Sequence, residues 1–147
     1  MASKKYGVDF PAATLPLTGA ETLSVVQSGS LVDCTVSDFA IIPQNSQSAA
    51  YTLALTDAGK HILHPSADTT ARTFTIPANS SVPFPIGTEI TFVNQNAAGT
   101  VTIAITGDTM RLSPGGTTGS RTLAASGIAR ALKITATEWI ISGTGLT

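Results

Sequence analysis

The chain predicts an all-β fold: a single antiparallel β-sandwich, jelly-roll-like or small-barrel domain, preceded by an extended N-terminal arm and a short hairpin unit. Three observations carry this reading. From Tyr51 to the end, short β-prone runs recur at roughly 8–12-residue spacing. Turn clusters such as "DAG", "NAAG", "TGD" and "SPGGTTGS" separate them. No window holds a helical period, because Thr, Val or Gly interrupts each one within a turn or two.

Residues 1–20 show neither period, with Pro11 and Pro16 among small residues, and read as the arm. Residues 21–42 read as a hairpin plus a short helical turn. Two β-prone runs, 22–27 and 31–36, flank Ser28-Gly29-Ser30, and Thr35 or Ser37 is placed to cap a turn in "TVSDFA". "IIPQNSQSAA" is a polar connector, and residues 51–147 form the β-sandwich domain. Its strands are expected in "YTLALT", "KHILHP", "RTFTIP", "EITFVN", "VTIAIT", "MRLS", "RTLAA" and "ALKIT…EWIIS". Alternation is cleanest in "VTIAIT", where Val101, Ile103 and Ile105 face a core and Thr102, Ala104 and Thr106 the other side. That other face, rich in Thr and Ala, suits either solvent or a neighbouring subunit.

"PANSSVPFPIGTEITFV" (77–93) alternates like a strand but contains Pro77, Pro83 and Pro85, which cannot donate to a ladder. It reads as a stiff edge lead-in that buries Val82, Phe84 and Ile86, with the true strand at Thr88–Asn94.

Composition narrows function. Charged residues make up 12% of the 147, about half the usual share, so the surface is largely hydroxyl and methyl. The net charge is −1 and the cations are scattered, which argues against a nucleic-acid partner. No apolar run approaches a membrane span, and the N-terminus lacks the h-region of a signal peptide, so synthesis in a cytoplasm is expected. Cys34 is the single cysteine; intramolecular disulfides and cysteine-based metal clusters are excluded, and "VDCTV" reads as a strand with Cys34 buried.

Chemical motifs are weak. His61 and His64, three apart in an extended run, point to opposite faces and make no metal pair. No GxSxG elbow accompanies them, so a Ser-His-Asp hydrolase lacks its nucleophile. "ALTDAGKH" has Ala54 where a phosphate loop needs Gly and His61 where it needs Ser or Thr; a β-turn at Asp57-Ala58-Gly59 is the better reading. "NSS" (79–81) is a polar turn, and the carboxylates Asp57, Asp68, Glu89, Asp108 and Glu138 are scattered singly. No enzyme activity and no cofactor are expected. Trp139, alternating with Ile141, reads as core rather than as a sugar-binding platform.

Several stretches, in order, resemble virion structural proteins of tailed bacteriophages: "LPLTGAETLSVVQSGSLVDCTVSDFA", "YTLALTDAGKHI", "FTIPANSSVPFPIGTEITFVNQNAAGTVTIAITGDTMRLSPGG" and "ALKITATEWIISGTG". Together they cover nearly all of the chain after about residue 14, although none is a chemical motif. The resemblance implies a β-rich, commonly oligomeric particle component that acts by binding, with no catalytic residues to transfer. Because the sequence stops at Thr147, soon after the Trp139 strand, the expected function is a decoration (cement) protein on the outer capsid surface. It would contact the major capsid protein and form a homo-oligomer, dimer or trimer. A head-fibre or tail-fibre component, such as an adaptor for a receptor-binding protein, is the alternative, and a carbohydrate-binding β-sandwich is a third. Within the arm, Lys4, Lys5, Tyr6 and Phe10 are the expected partner-binding residues, since aromatics and long cationic side chains gain most from docking.

Overall fold

The computed structural model describes residues 22–35 and 40–147. It divides the chain into two units, meeting between Ile41 and Ile42. The expected helical turn in "TVSDFA" falls on residues 36–39, which like the arm lie outside the described residues.

In the first unit, β1 (Thr22–Gln27) pairs antiparallel with β2 (Ser30–Thr35). Ser28 and Gly29 connect them with φ of 51° and 82°. Two successive positive φ values make the mirror-image turn whose twist suits a two-residue hairpin. The register sets Val25 opposite Val32 and Val26 opposite Leu31. Ser24 Oγ donates to Asp33 Oδ1 at 2.5 Å across the same ladder. Cys34, expected to be buried, is half-buried in β2.

The second unit is a curled half-barrel made of one nine-stranded sheet. Its strands are β3 (Gln44–Ser46), β4 (Tyr51–Thr52), β5 (His61–His64), β6 (Arg72–Ile76), β7 (Glu89–Asn94), β8 (Val101–Ile105), β9 (Thr109–Leu112), β10 (Arg121–Thr135) and β11 (Glu138–Leu146). The all-β expectation holds, but the sheet is mixed rather than purely antiparallel. β3, β5 and β7 run parallel in one arm, and β4, β6 and β8 run parallel in the other. The chain thus alternates between arms, each strand lying beside the next but one. Period-2 alternation says which face a side chain takes and nothing about strand direction, so a coiled path of this kind reads as a meander in sequence.

Both arms meet on β10. Its first residues, Arg121–Leu123, pair with β8, and Ile128–Leu132 pair with β7, both antiparallel. Between them lies a bulge containing Ser126 with φ 58°. The two expected strands "RTLAA" and "ALKIT" are therefore one bent strand, and the bulge re-aims it from one arm to the other. β11 pairs with β10 antiparallel, and β9 adds to β11 in parallel.

The core includes Leu53, Ile62, Phe74, Phe92, Ile103, Met110, Leu123 and Trp139. Val101 and Ile103 are buried as the alternation predicts, and Ile105 is half-buried. Two loop expectations change. The polar connector contains β3, because Asn45 turns inward to a buried acceptor while Gln44 and Ser46 face out. The proline segment is a covering loop rather than an edge lead-in. Phe84 is buried against Trp139, Val82 is half-buried, and Ile86 is 67% exposed. Ile86 points away because it sits in a turn closed by Thr88 N–H donating to Pro85 C=O, with Gly87 at φ 90°.

Candidate functional site

Three polar clusters lie within the half-barrel, and each uses its groups to hold loops. The first gathers at the C-terminal ends of β5 and β7. His64 is fully buried, with Nδ1 2.9 Å from Asn94 Oδ1 and Nε2 3.2 Å from Asp68 Oδ2. Asp68 accepts from Arg72 Nε at 2.6 Å and Nη2 at 3.1 Å. That guanidinium, helped by the Thr70 N–H and His64, holds the carboxyl well below the usual carboxylate range against the opposing effect of burial. Asn94 Nδ2 donates to the carbonyls of Gly99 and Ala124, and Asn96 ties Ser66 and Asp68 to the Ala98–Gly99 turn. The His–Asp pair has the look of a catalytic dyad, but both ring nitrogens are engaged and shut away from solvent. Nothing remains to take a proton from a nucleophile.

The second cluster surrounds Asp57, which is buried. It accepts from Asn45 Nδ2 (2.8 Å), Tyr51 Oη (2.7 Å) and the Ala54 N–H (2.9 Å). Burial, followed by the Asp57 hydrogen bond, pushes the Tyr51 phenol up. Asp57 also opens the expected turn, with Lys60 N–H donating to its carbonyl and Gly59 at φ 76°.

The third lies under the proline loop, toward the opposite end of β10. Lys133 is buried, its Nζ donating to Asn79 Oδ1 at 2.8 Å and standing 5.3 Å from the Trp139 ring centroid. Desolvation pulls the ammonium down, and the nearby Asp108 carboxylate partly opposes this. Asp108 itself accepts the Asn79 N–H at 3.0 Å, so the cluster fixes the loop that covers it.

His61 and His64 do point to opposite faces, His61 half-exposed and His64 inward. Among the described residues, no three His, Cys, Asp or Glu side chains gather as a metal group. Phe74, Phe84, Phe92 and Trp139 are buried, and Tyr51 is half-buried, so none of these rings forms an open platform. Lys4, Lys5, Tyr6 and Phe10 lie outside the described residues.

Among the described residues, both units carry exposed apolar side chains. In the hairpin, Val26 and Leu31 are 71% and 76% exposed on one face, while Val25 and Val32 are exposed on the other. In the half-barrel, the outward side of β10 carries Ile128, Leu132 and Ile134, all exposed. Sequence reasoning expected a Thr/Ala outer face and missed these residues. The available signal was "GIARALKIT", where Ile128, Leu132 and Ile134 share one parity with Arg130 while Ala129, Ala131 and Lys133 hold the other, so a core packed by the Ala side leaves the large aliphatics outside. Comparison with protein families, curated proteins and solved structures finds no match for the chain.

Proposed function

We propose that the protein is a structural component of a tailed-phage particle, decorating the outer capsid surface by contact with the major capsid protein. The observation that carries this reading is the β1–β2 hairpin, which presents apolar pairs on both faces. A two-stranded hairpin is marginal in water, and one with Val25 and Val32 on one side and Val26 and Leu31 on the other gains most when a partner surface covers it. A chain with 12% charged residues can dock over a broad area with little charge desolvation, which otherwise costs several kcal/mol per buried ion. The sequence resemblance supplies the particle, and the hairpin supplies the contact.

The test is re-addition of purified protein to capsids stripped of it. Wild-type protein is expected to rebind in numbers comparable with the major capsid subunit. Val26→Asp and Leu31→Asp are expected to abolish binding while leaving the half-barrel's unfolding midpoint unchanged. Binding that survives both substitutions would remove the hairpin from the contact. Deletion of residues 1–14 tests the arm in the same assay.

A further inference from the structure

Strand β10 is inside out. Ala129, Ala131 and Lys133 face the core, whereas Ile128, Arg130, Leu132 and Ile134 face away from it. A sheet with one solvated face ordinarily shows the reverse alternation. The neighbouring Trp139 and Ile141 of β11 supply bulk on the inner side, beside Lys133 and Ala131. The outer aliphatics therefore call for a second surface.

The ladder defines what that surface must be. Glu89 of β7, Leu132 of β10, Ile140 of β11 and Arg111 of β9 are successive neighbours across the outer face. The row reads acid, apolar, apolar, base. Turned end for end it complements itself. We propose that this face is the contact through which two copies of the chain pair, around a two-fold axis running along the strands between β10 and β11. Glu89 of each copy then lies opposite Arg111 of the other, and Leu132 opposite Ile140, the isologous arrangement of a symmetric dimer.

Spacing and charge both favour a second copy. At about 4.8 Å between strands, Glu89 and Arg111 stand roughly 14 Å apart, and a partner must carry opposite charges at that span around an apolar centre. The face itself meets that condition. Each acid and base also has a local companion: Arg130 Nε lies 3.9 Å from Glu89, and Arg111 Nε 2.7 Å from Glu138. Each end of the paired row therefore gathers two acids and two bases, which limits the desolvation cost of closing the interface. A parallel row, Leu63–Val93–Ile128, extends the apolar area next to Thr144. Two such faces pack as aligned sheets about 10 Å apart.

This inference rests on reading the protein as an assembly component, and its test is independent of any capsid. Sedimentation equilibrium of the full chain is expected to show a dimer. Leu132→Lys is expected to yield monomer with unchanged far-ultraviolet circular dichroism; Ile128→Lys, on the same face, replaces it if that variant misfolds. Glu89→Arg and Arg111→Glu, each alone, put like charges opposite one another and are expected to raise the dimer Kd at least about tenfold. An equimolar mixture of those two variants is expected to recover wild-type affinity as a heterodimer, because one row is then basic at both ends and the other acidic. A wild-type monomer, a dimer insensitive to Leu132→Lys, or a mixture no tighter than the single variants overturns the inference. A monomer that still rebinds capsids overturns only the dimer, and a dimer that never rebinds them overturns only the capsid reading.

Discussion

Replacing Phe84 by alanine tests whether the proline segment is a structural cover over the core. Phe84 is 3% exposed, and its ring meets Trp139 edge to face, with centroids 5.6 Å apart and planes at 81°. Removing a packed phenylalanine costs about 3–5 kcal/mol, within which an edge-to-face pair accounts for about 0.5–1.5 kcal/mol. The loop is also tied to β10 by two backbone bonds of 2.9 Å, Gly87 N–H to the Lys133 carbonyl and Lys133 N–H to the Thr88 carbonyl. Despite those anchors, the segment around Phe84 lies on the surface between exposed Pro83 and Pro85 and can settle partly into the space, so the lower end, about 3 kcal/mol, is expected. In urea, with a slope of about 1–3 kcal/mol/M, the midpoint should fall by roughly 1–3 M. Trp139 is the single tryptophan and is fully buried, so its emission reports directly on the cover. Native emission should shift to the red in Phe84→Ala. Ile86→Ala, at an exposed turn position of the same loop, should stay within about 0.5 kcal/mol of wild type. Equal midpoints for the two variants, or unchanged emission in Phe84→Ala, would refute the covering role.

Three further outcomes follow from the polar clusters. Asp57→Ala strands the Asn45 amide, the Tyr51 hydroxyl and the Ala54 N–H, and should cost at least about 2 kcal/mol in urea unfolding. Lys133 has its folded pKa depressed by burial, so just below the ordinary value near 10.4 the unfolded chain holds more protons and stability rises with pH. Urea midpoints between about pH 8 and pH 10 should show that rise in wild type and a flatter profile in Lys133→Met. Asp68 gives a rise with pH as well, but in the acid range: Arg72 depresses its pKa, so its contribution is complete above the unfolded value near 3.9 and is lost as pH falls toward the folded one. Asp68→Asn should therefore lessen the acid sensitivity of the urea midpoint below about pH 4.

The elements were more legible than their arrangement. Alternation located Val101 and Ile103 on core-facing positions, and "QSGS" marked the hairpin turn, because both signals are local. Parallel pairing in each arm was invisible, since it depends on which distant strand lies alongside. β3 escaped notice because "QNS" is polar, and its inward Asn45 serves Asp57 rather than an apolar core. "ALTDAGKH" yielded its turn correctly, whereas the buried places of Asp57 and Lys133 depended on partners 12 and 54 residues away. The prolines announced an interruption but not its purpose, which appears only with Phe84 set against Trp139. The outer face was misread because β10 puts Ala inward and Leu and Ile outward, an inversion that becomes visible once β11 brings Trp139 alongside.

The proposed role is that of a particle component held by surface contacts. Its most direct test is quantitative mass spectrometry of purified particles assembled from the genome that encodes the chain. The protein is expected there at a stoichiometry comparable with the major capsid subunit, and the Leu31→Asp variant is expected to be depleted from particles while remaining folded in the lysate. Absence of the wild-type protein from particles, or presence at the low stoichiometry of a tail appendage, would contradict the capsid-decorating function.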